Sequence, residues 1–366
     1  MDKQTRYMQR AIALAEQARG KCSPNPFVGA LIVKNDSIIG EGFTQAYGCD
    51  HAEVQAIKNS SQDCYGAEIY VTLEPCSHYG KTPPCAKAII ESGIKAVYIG
   101  ITDPNTLVNG KGIQMLKDAG IKVESGFCAD IITQQLEYYL TYITKRRPFV
   151  ILKTATTLDG RIAAEDGSSR WISCEEARAK THELRQEADV VLTGIGTILK
   201  DNPLLNVRLP HPYKQPLRVI LDSHLSMPVT SNIALTATEY PTLILTLTST
   251  TNPEKEKALQ ELGIEICHLE SDTNQLDLTK VLSELHHRKK SLIMVEAGNR
   301  INTSFLQAGL VDKLYVFIAP KLLGGNNFAW NSLGISNITQ AMLLNNMKYE
   351  QIGTDILVTA YPATNK

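Results

Sequence analysis

Whatever fold this chain adopts has to bring four residues from two separate segments to one point. His51 and Glu53 open one helical stretch, and Cys76 and Cys85 come after the next strand. Two thiolates and one imidazole supply three ligands to a single Zn²⁺ per chain and leave the fourth tetrahedral position open for water, which is the arrangement of a catalytic site rather than a closed structural one. Glu53 stands two residues past the histidine, within reach of that water without being a ligand, and so is the candidate proton shuttle. A purely structural zinc has no use for an acid beside an open coordination position, which weighs against a non-catalytic protein.

At 366 residues the chain is too long for one ordinary core and suits two domains. With 43% hydrophobic residues and a formal net charge of −1 it reads as a soluble globular protein. A near-neutral balance argues against a nucleic-acid partner, because phosphate binding needs a basic face. The N-terminus leads into Ala11-Ile12-Ala13-Leu14-Ala15-Glu16, an amphipathic helix rather than a secretory apolar run. No stretch approaches the roughly 18 apolar residues that span a bilayer. Eight cysteines without an export signal favour reduced thiols and a cytoplasmic location. Beyond the two ligands, Cys22, Cys49, Cys64, Cys128, Cys174 and Cys267 are expected to be buried small apolar residues.

Strands at 30–33, 69–73, 96–99 and 121–123 alternate with helices from His51, from Cys85 to Ser92 and around Met115, the pattern of an α/β layer fold. Both ligand segments sit where a helix begins, where the macrodipole and free N–H groups favour thiolate. Pro83-Pro84 suits a helix start. A polar helix from about Asp130 to Thr144 ends at Lys145-Arg146-Arg147-Pro148, a charged stop before a proline. The domain boundary belongs there, giving domains 1–146 and 147–366. A new alternation follows, with strands at 149–153, 189–193, 217–221, 242–245, 292–295, 314–318 and 356–360. Its helices are expected at 254–262, at 278–287, and to about Gln186 from a capping box at Ser173-Cys174-Glu175-Glu176.

H-x-E followed by P-C-x-x-C is the signature of zinc-dependent base deaminases, and here eight residues, Ser77 to Pro84, separate the cysteines instead of two. The segment Thr72-Leu73-Glu74-Pro75-Cys76-Ser77-His78-Tyr79-Gly80-Lys81-Thr82-Pro83-Pro84-Cys85 resembles the deaminase half of the bifunctional riboflavin-biosynthesis deaminase/reductases. So do Pro24-Asn25-Pro26, Val28-Gly29-Ala30, Asp103-Pro104-Asn105 and Gly110-Lys111-Gly112. The resemblance implies a cytidine-deaminase-like three-layer N-terminal domain. It also implies substrate contacts in the insertion between the cysteines, at His78 and Lys81, and at Asn25.

In the second half, Asp159-Gly160, Thr193-Gly194-Ile195-Gly196-Thr197 and Glu296-Ala297-Gly298 are glycine-bearing turns after apolar strands, candidates for a dinucleotide phosphate. They lack the third glycine and the later acidic residue of the Rossmann fingerprint, so that fold is not supported. Thr156-Thr157-Leu158-Asp159-Gly160-Arg161-Ile162-Ala163, Ser168-Ser169-Arg170-Trp171-Ile172-Ser173 and Asp201-Asn202-Pro203-Leu204-Leu205 resemble the reductase half of the same family. That resemblance implies a dihydrofolate-reductase-like C-terminal domain using NADPH. Ala155, Trp171, Thr197, Asp201, Ser223 and Gly298 would contact the cofactor, and Ser169, Arg185, Leu205, Arg208 and Glu296 the substrate. Guanidinium forks at Arg185 and Arg208 suit a phosphate monoester.

Hydrolytic deamination of 2,5-diamino-6-(5-phosphoribosylamino)pyrimidin-4(3H)-one, then NADPH-dependent reduction of the ribosyl group of 5-amino-6-(5-phosphoribosylamino)uracil, is the activity so implied, in a homo-oligomer with no nucleic-acid or membrane partner. The alternative is a nucleic-acid base-editing deaminase with a C-terminal binding module, which would need a basic or aromatic-lined surface. Two departures from the family stand out. Thr44 follows Gly42-Phe43 where family members commonly carry histidine, and Asn299-Arg300-Ile301 after Gly298 is bulkier than the expected small-residue turn. His182, His211, His224, His268, His286 and His287 have no ligand-like spacing and read as ordinary residues.

Overall fold

In the computed structural model, which describes residues 2–363, the chain divides into two compact units, residues 1–147 and 148–366. The first is built on a five-stranded sheet. Its strands are β1 (Gly29–Lys34), β2 (Ser37–Phe43), β3 (Glu68–Leu73), β4 (Ala96–Ile101) and β5 (Lys122–Ser125), in the order β2-β1-β3-β4-β5. β1 is antiparallel to both its neighbours, while β3, β4 and β5 run parallel. Helices α1 (Lys3–Ala15), α2 (Ala52–Lys58), α3 (Cys85–Glu91), α4 (Lys111–Asp118), α5 (Ala129–Gln135) and α6 (Glu137–Thr144) complete it. The central strands are almost continuous apolar runs, and Leu31, Ile32, Ile69, Tyr70, Val71, Val97 and Ile99 are fully buried, as parallel strands covered on both faces require.

The second unit carries a nine-stranded sheet. Its strands are β6 (Phe149–Thr157), β7 (Val190–Gly194), β8 (Leu217–Leu221), β9 (Thr242–Leu247), β10 (Glu265–Leu269), β11 (Leu292–Val295), β12 (Lys313–Ala319), β13 (Leu344–Ile352) and β14 (Asp355–Pro362). The order is β10-β9-β8-β7-β11-β6-β12-β14-β13. All pairings are parallel up to β12, and β14 and β13 add an antiparallel ribbon at the edge. Helices α7 (Glu175–Glu187), α8 (Ile195–Asp201), α9 (Asn232–Leu235), α10 (Pro253–Glu261), α11 (Leu278–His287) and α12 (Asn299–Gln307) pack on it. Val150, Leu192, Val219, Leu243, Val281, Ile293 and Phe305 form the core between sheet and helices.

Three expectations need correction. The helix over Asp130–Thr144 is two helices that meet at Leu136, which leaves helical geometry at φ −92°, ψ 14°. α7 is not started by a Ser173 capping box: its N-cap is Cys174, whose side chain makes no cap hydrogen bond. Instead Asp355 accepts the Cys174 N–H at 2.9 Å, and the Cys174 thiol donates to Ile352 O, so a distant strand turn fixes the helix start. Among the six other cysteines Cys22 and Cys64 are buried, whereas Cys49 is exposed and Cys128, Cys174 and Cys267 are half-buried. β2, β10 and β13 are further strands beyond those expected from the sequence, and they carry no strong run of alternating apolar residues.

Buried Arg218 on β8 is moored without a carboxylate. Its guanidinium donates to the hydroxyls of Thr242 and Thr236 and to the carbonyls of Leu204, Ile233, Thr236 and Tyr240. Burial pushes it down to about 10.

Candidate active sites

In the first unit His51 is the N-cap of α2 and Cys85 the first residue of α3. Gly42 allows the first of these placements, because a Cβ there would run into the α2 backbone at Ala52 and Ala56. His51 Nδ1 lies 3.6 Å from Cys76 Sγ and 3.2 Å from Cys85 Sγ. The ligand atoms of the three residues all fall within 4.8 Å of one another. The Cys85 N–H donates to Cys76 Sγ at 3.3 Å and the Ala86 N–H to Cys76 O at 3.1 Å, which closes the insertion into a loop. The Cys85 thiol, the imidazole and that N–H together hold the Cys76 thiol far below its usual range. This soft donor set, at this spacing, fits tetrahedral Zn²⁺.

Glu53 in the first turn of α2 is 4% exposed. Burial pushes its carboxyl up to about 7, the range in which a group both takes and returns protons at neutral pH.

Glu74, two residues before Cys76, was quoted only as part of a motif, yet it organises the surrounding loops. Its carboxylate accepts the main-chain N–H groups of Asp103 (3.2 Å), Gly110 (3.0 Å), Gly112 (3.0 Å) and Ile113 (3.2 Å). Asp103 in turn accepts Tyr139 Oη–H at 2.9 and 3.0 Å. The family-like segments at 74–76, 103–105 and 110–112 thus converge on one carboxylate. Thr44 has a structural duty: its hydroxyl accepts the Val28 N–H at 3.0 Å and its own N–H donates to Val28 O at 2.9 Å. Asn25 donates its N–H to Cys22 O. In the inter-cysteine loop His78 has a buried Nδ1 with no hydrogen-bond partner, and Lys81 Nζ lies 4.2 Å from the Tyr47 ring centroid.

A cleft of about 470 Å³ opens in the second unit. Of the residues expected at the cofactor, Ala155, Trp171, Thr197, Asp201 and Gly298 line it, and Ser223 does not. Ser223 sits after β8, where its carbonyl accepts the Thr246 and Thr250 hydroxyls. Of the residues expected at the substrate, Ser169, Arg185, Leu205, Arg208 and Glu296 all line it. Gly196 in α8 and Gly298 at the start of α12 face open space, with nothing within 4 Å of where a Cβ would sit, so backbone and phosphate could approach closely there. Asn299-Arg300-Ile301 is not a turn but the first turn of α12.

Lys153, on β6, was missed as a site residue. It lines the cleft with its Nζ 3.5 Å from Glu296 Oε1, while Arg185 grips Glu296 through Nε and Nη2, both at 2.9 Å. Burial alone would push the Glu296 carboxyl up, but Arg185 and then Lys153 outweigh it and hold it well below the carboxylate range. Burial pushes the Lys153 ammonium down. His182 was read as ordinary and also lines the cleft. The signal was present: Arg178, Thr181, His182 and Arg185 recur at helical spacing, and all four face the cleft from α7. Lys321 donates to Trp171 O (2.7 Å) and Ile172 O (2.8 Å), and Arg170 to Asp201 O (2.6 Å). The segment carrying Trp171 is therefore pinned at both ends.

Comparison with known proteins finds matches to both units. Residues 148–358 match the RibD C-terminal domain family, and residues 1–101 match the cytidine and deoxycytidylate deaminase zinc-binding region. The chain is 42% identical to riboflavin biosynthesis protein RibD of Aquifex aeolicus over 352 residues, covering 96% of each. It is also 42% identical to riboflavin biosynthesis protein RibD of Bacillus amyloliquefaciens, over 98% of this chain and 96% of the other. Among solved structures, Acinetobacter baumannii RibD superposes with a TM-score of 0.89 at 36% identity, over 99% of both chains. A diaminohydroxyphosphoribosylaminopyrimidine deaminase/5-amino-6-(5-phosphoribosylamino)uracil reductase from Thermotoga maritima superposes with a TM-score of 0.86 at 35% identity, over 98% of this chain and 99% of that one.

Proposed function

The chain belongs to the RibD family of bifunctional riboflavin-biosynthesis deaminase/reductases, and from that premise we propose how its residues divide the work. It is a zinc-dependent hydrolase and an NADPH-dependent reductase acting on pyrimidine ribosyl phosphates. We assign deamination to residues 1–146 and reduction to residues 147–366.

His51, Cys76 and Cys85 hold the zinc in this reading. When bound, the metal lowers the pKa of water enough to make it a nucleophile at neutral pH. Glu53 takes the proton from the water that attacks C2 of the diaminopyrimidinone ring. It passes that proton to a ring nitrogen and carries the second proton of the same water to the departing amine, so that ammonia leaves. Glu74 keeps the Cys76 loop and the 103–113 segment in register. Asn25, His78 and Lys81 are assigned to substrate binding, and the unpartnered Nδ1 of His78 supports that assignment for the histidine.

In the reductase, NADPH supplies a hydride to C1′ of the ribosyl group. Trp171, Thr197, Asp201, Ala155 and Gly298 are assigned to the cofactor, with Ser223 at one remove from the cleft. Arg185 and Arg208 are assigned to the substrate phosphate, with Ser169 and Leu205 beside them. The Lys153–Glu296 pair is the proton-handling group for opening the ribose to its imine. Burial makes the ammonium readier to give up its proton, and Glu296 stays ionised.

The observation that carries this reading is a three-ligand cluster beside a buried glutamate in the chain that also carries the basic cleft. The decisive assay follows ammonia release and NADPH oxidation with the diaminopyrimidine ribosyl phosphate. Both should occur, in that order, and failure of either in zinc-loaded protein refutes the corresponding half.

We also place the protein in the cytoplasm, on the strength of cysteines that are all free thiols, and read it as a homo-oligomer. No described helix is long and apolar enough to cross a membrane. β13 ends the sheet, is exposed along residues 344–351, and presents Leu344, Met347 and Tyr349. Such an edge is a template for pairing, and a second copy is the occupant this reading expects. Sedimentation of Tyr349→Glu should show dissociation that wild type does not.

A further inference from the structure

His182 lies on the cleft face of α7, one turn before Arg185. Its Nδ1 accepts the main-chain N–H of Arg208 at 3.3 Å. An imidazole that accepts at Nδ1 carries its proton at Nε2, so the second nitrogen is a donor. The surrounding groups are already organised around a common point. Arg208 Nη1 donates to Asn206 Oδ1 at 2.6 Å, and Arg185 Nη1 donates to Asn206 O at 3.0 Å. Asn206 itself is 4% exposed. One imidazole and two guanidinium groups are thereby tied to a single three-residue segment, Asn206 to Arg208.

We propose that His182 is a further ligand for the substrate phosphate, donating from Nε2 beside Arg185 and Arg208 while Nδ1 keeps the Arg208 N–H. This rests on the reading that the phosphate lies at those two arginines. Arg178 and Arg185 on its own helix, Arg208 from the loop before β8, Glu296 after β11 and Lys153 on β6 line the cleft with it. Arg185 pairs with Glu296 through two hydrogen bonds. Burial, then Arg185 and Arg208, push the imidazole down to about 4, with Glu296 opposing. The ring therefore meets the phosphate as a neutral donor, its Nδ1 still accepting the Arg208 N–H, with no proton taken up and no bond made or broken in the ligand.

The test is calorimetric titration of the full-length protein with ribose 5-phosphate at pH 7.5, in buffers of different ionisation enthalpy. The second phosphate pKa is about 6, so the ligand is already a dianion there and any proton uptake belongs to the protein. Wild type should bind with no net uptake. His182→Asn keeps an acceptor for the Arg208 N–H but withdraws the donor at the Nε2 position; it should bind about ten-fold more weakly. His182→Gln, which restores an N–H donor at that reach, should regain part of the affinity. Equal affinity in wild type and His182→Asn overturns the proposal, as does an equal loss for ribose lacking the phosphate, or proton uptake by wild type that His182→Asn lacks. Arg208→Ala separates the two levels. If it binds ribose 5-phosphate as wild type does, the phosphate lies elsewhere and both readings fall. If it loses binding while His182→Asn does not, the arginine reading stands and the histidine proposal alone is wrong.

Discussion

Glu74 and Gly112 meet as carboxylate and main-chain N–H at 3.0 Å, at a point on α4 where a side chain has no room. A Cβ on Gly112 would run into the carbonyl oxygen of Pro75, the residue next to the zinc ligand Cys76. Gly112→Ala should therefore disturb the metal site without touching a ligand, seen as reduced zinc per chain and a lower Tm. Glu74→Gln leaves an amide N–H₂ facing main-chain donors, so at least one buried N–H loses its acceptor. The cost should be about 1–3 kcal/mol, read from denaturant unfolding. Unchanged zinc affinity and stability in both variants would refute the bracing role.

Glu53→Gln should retain zinc and lose deamination by about 10²–10⁴-fold, the usual contribution of general acid–base catalysis. The amide preserves volume in a fully enclosed site but cannot carry a proton. Ammonia release at the wild-type rate by a zinc-loaded variant would remove Glu53 from the mechanism, and the reductase step gives an internal control.

Cys76→Ala and Cys85→Ala should each lose the metal, measured as zinc per chain after dialysis. Three ligands already leave one position to solvent, so two cannot hold the ion against a chelator. NADPH oxidation with the deaminated substrate should persist in both.

Glu296→Gln leaves Lys153 and Arg185 without their shared counter-charge. Breaking a buried pair from one side typically costs about 3–5 kcal/mol, which should appear in unfolding at pH 7. The sign of the pH dependence follows from the depressed carboxyl. Its stabilisation is fully present above the ordinary value of about 4.5 and is lost as pH falls below it. The gap between wild type and variant should therefore be flat from pH 7 to about 5 and close in more acidic buffer. A gap that widens with acid would exclude the ion pair as its source.

How much of this was legible in advance depended on how local the cause was. The zinc quartet could be read because ligand chemistry restricts residue type and spacing together. Helix α11 and strand β11 matched residue for residue because their apolar periodicity is strong. Cys174 as the start of α7 could not be read, since the group that satisfies its N–H is Asp355, far along the chain. Glu74 hid inside a motif because its four partners are main-chain donors from a loop some thirty residues later. His182 was overlooked because histidines were sought by ligand spacing, whereas its partners are on the same helix face and in the 206–208 segment. Lys153 lies in a buried apolar strand, where its charge is explained by Glu296 alone.

Arg218 holds a loop that lines the second unit's cleft, through Leu204 O, on hydroxyls and carbonyls and not on a carboxylate. An anchor built from acidic pairs releases when its acid is neutralised; this one has no acid to neutralise. Only acid strong enough to protonate Glu296, below the ordinary carboxylate range, should then undo that pair, and it would leave the loop's backbone moored. The reductase would lose its electrostatics before its shape, and such damage is repaired by restoring the pH, with no refolding of the loop required.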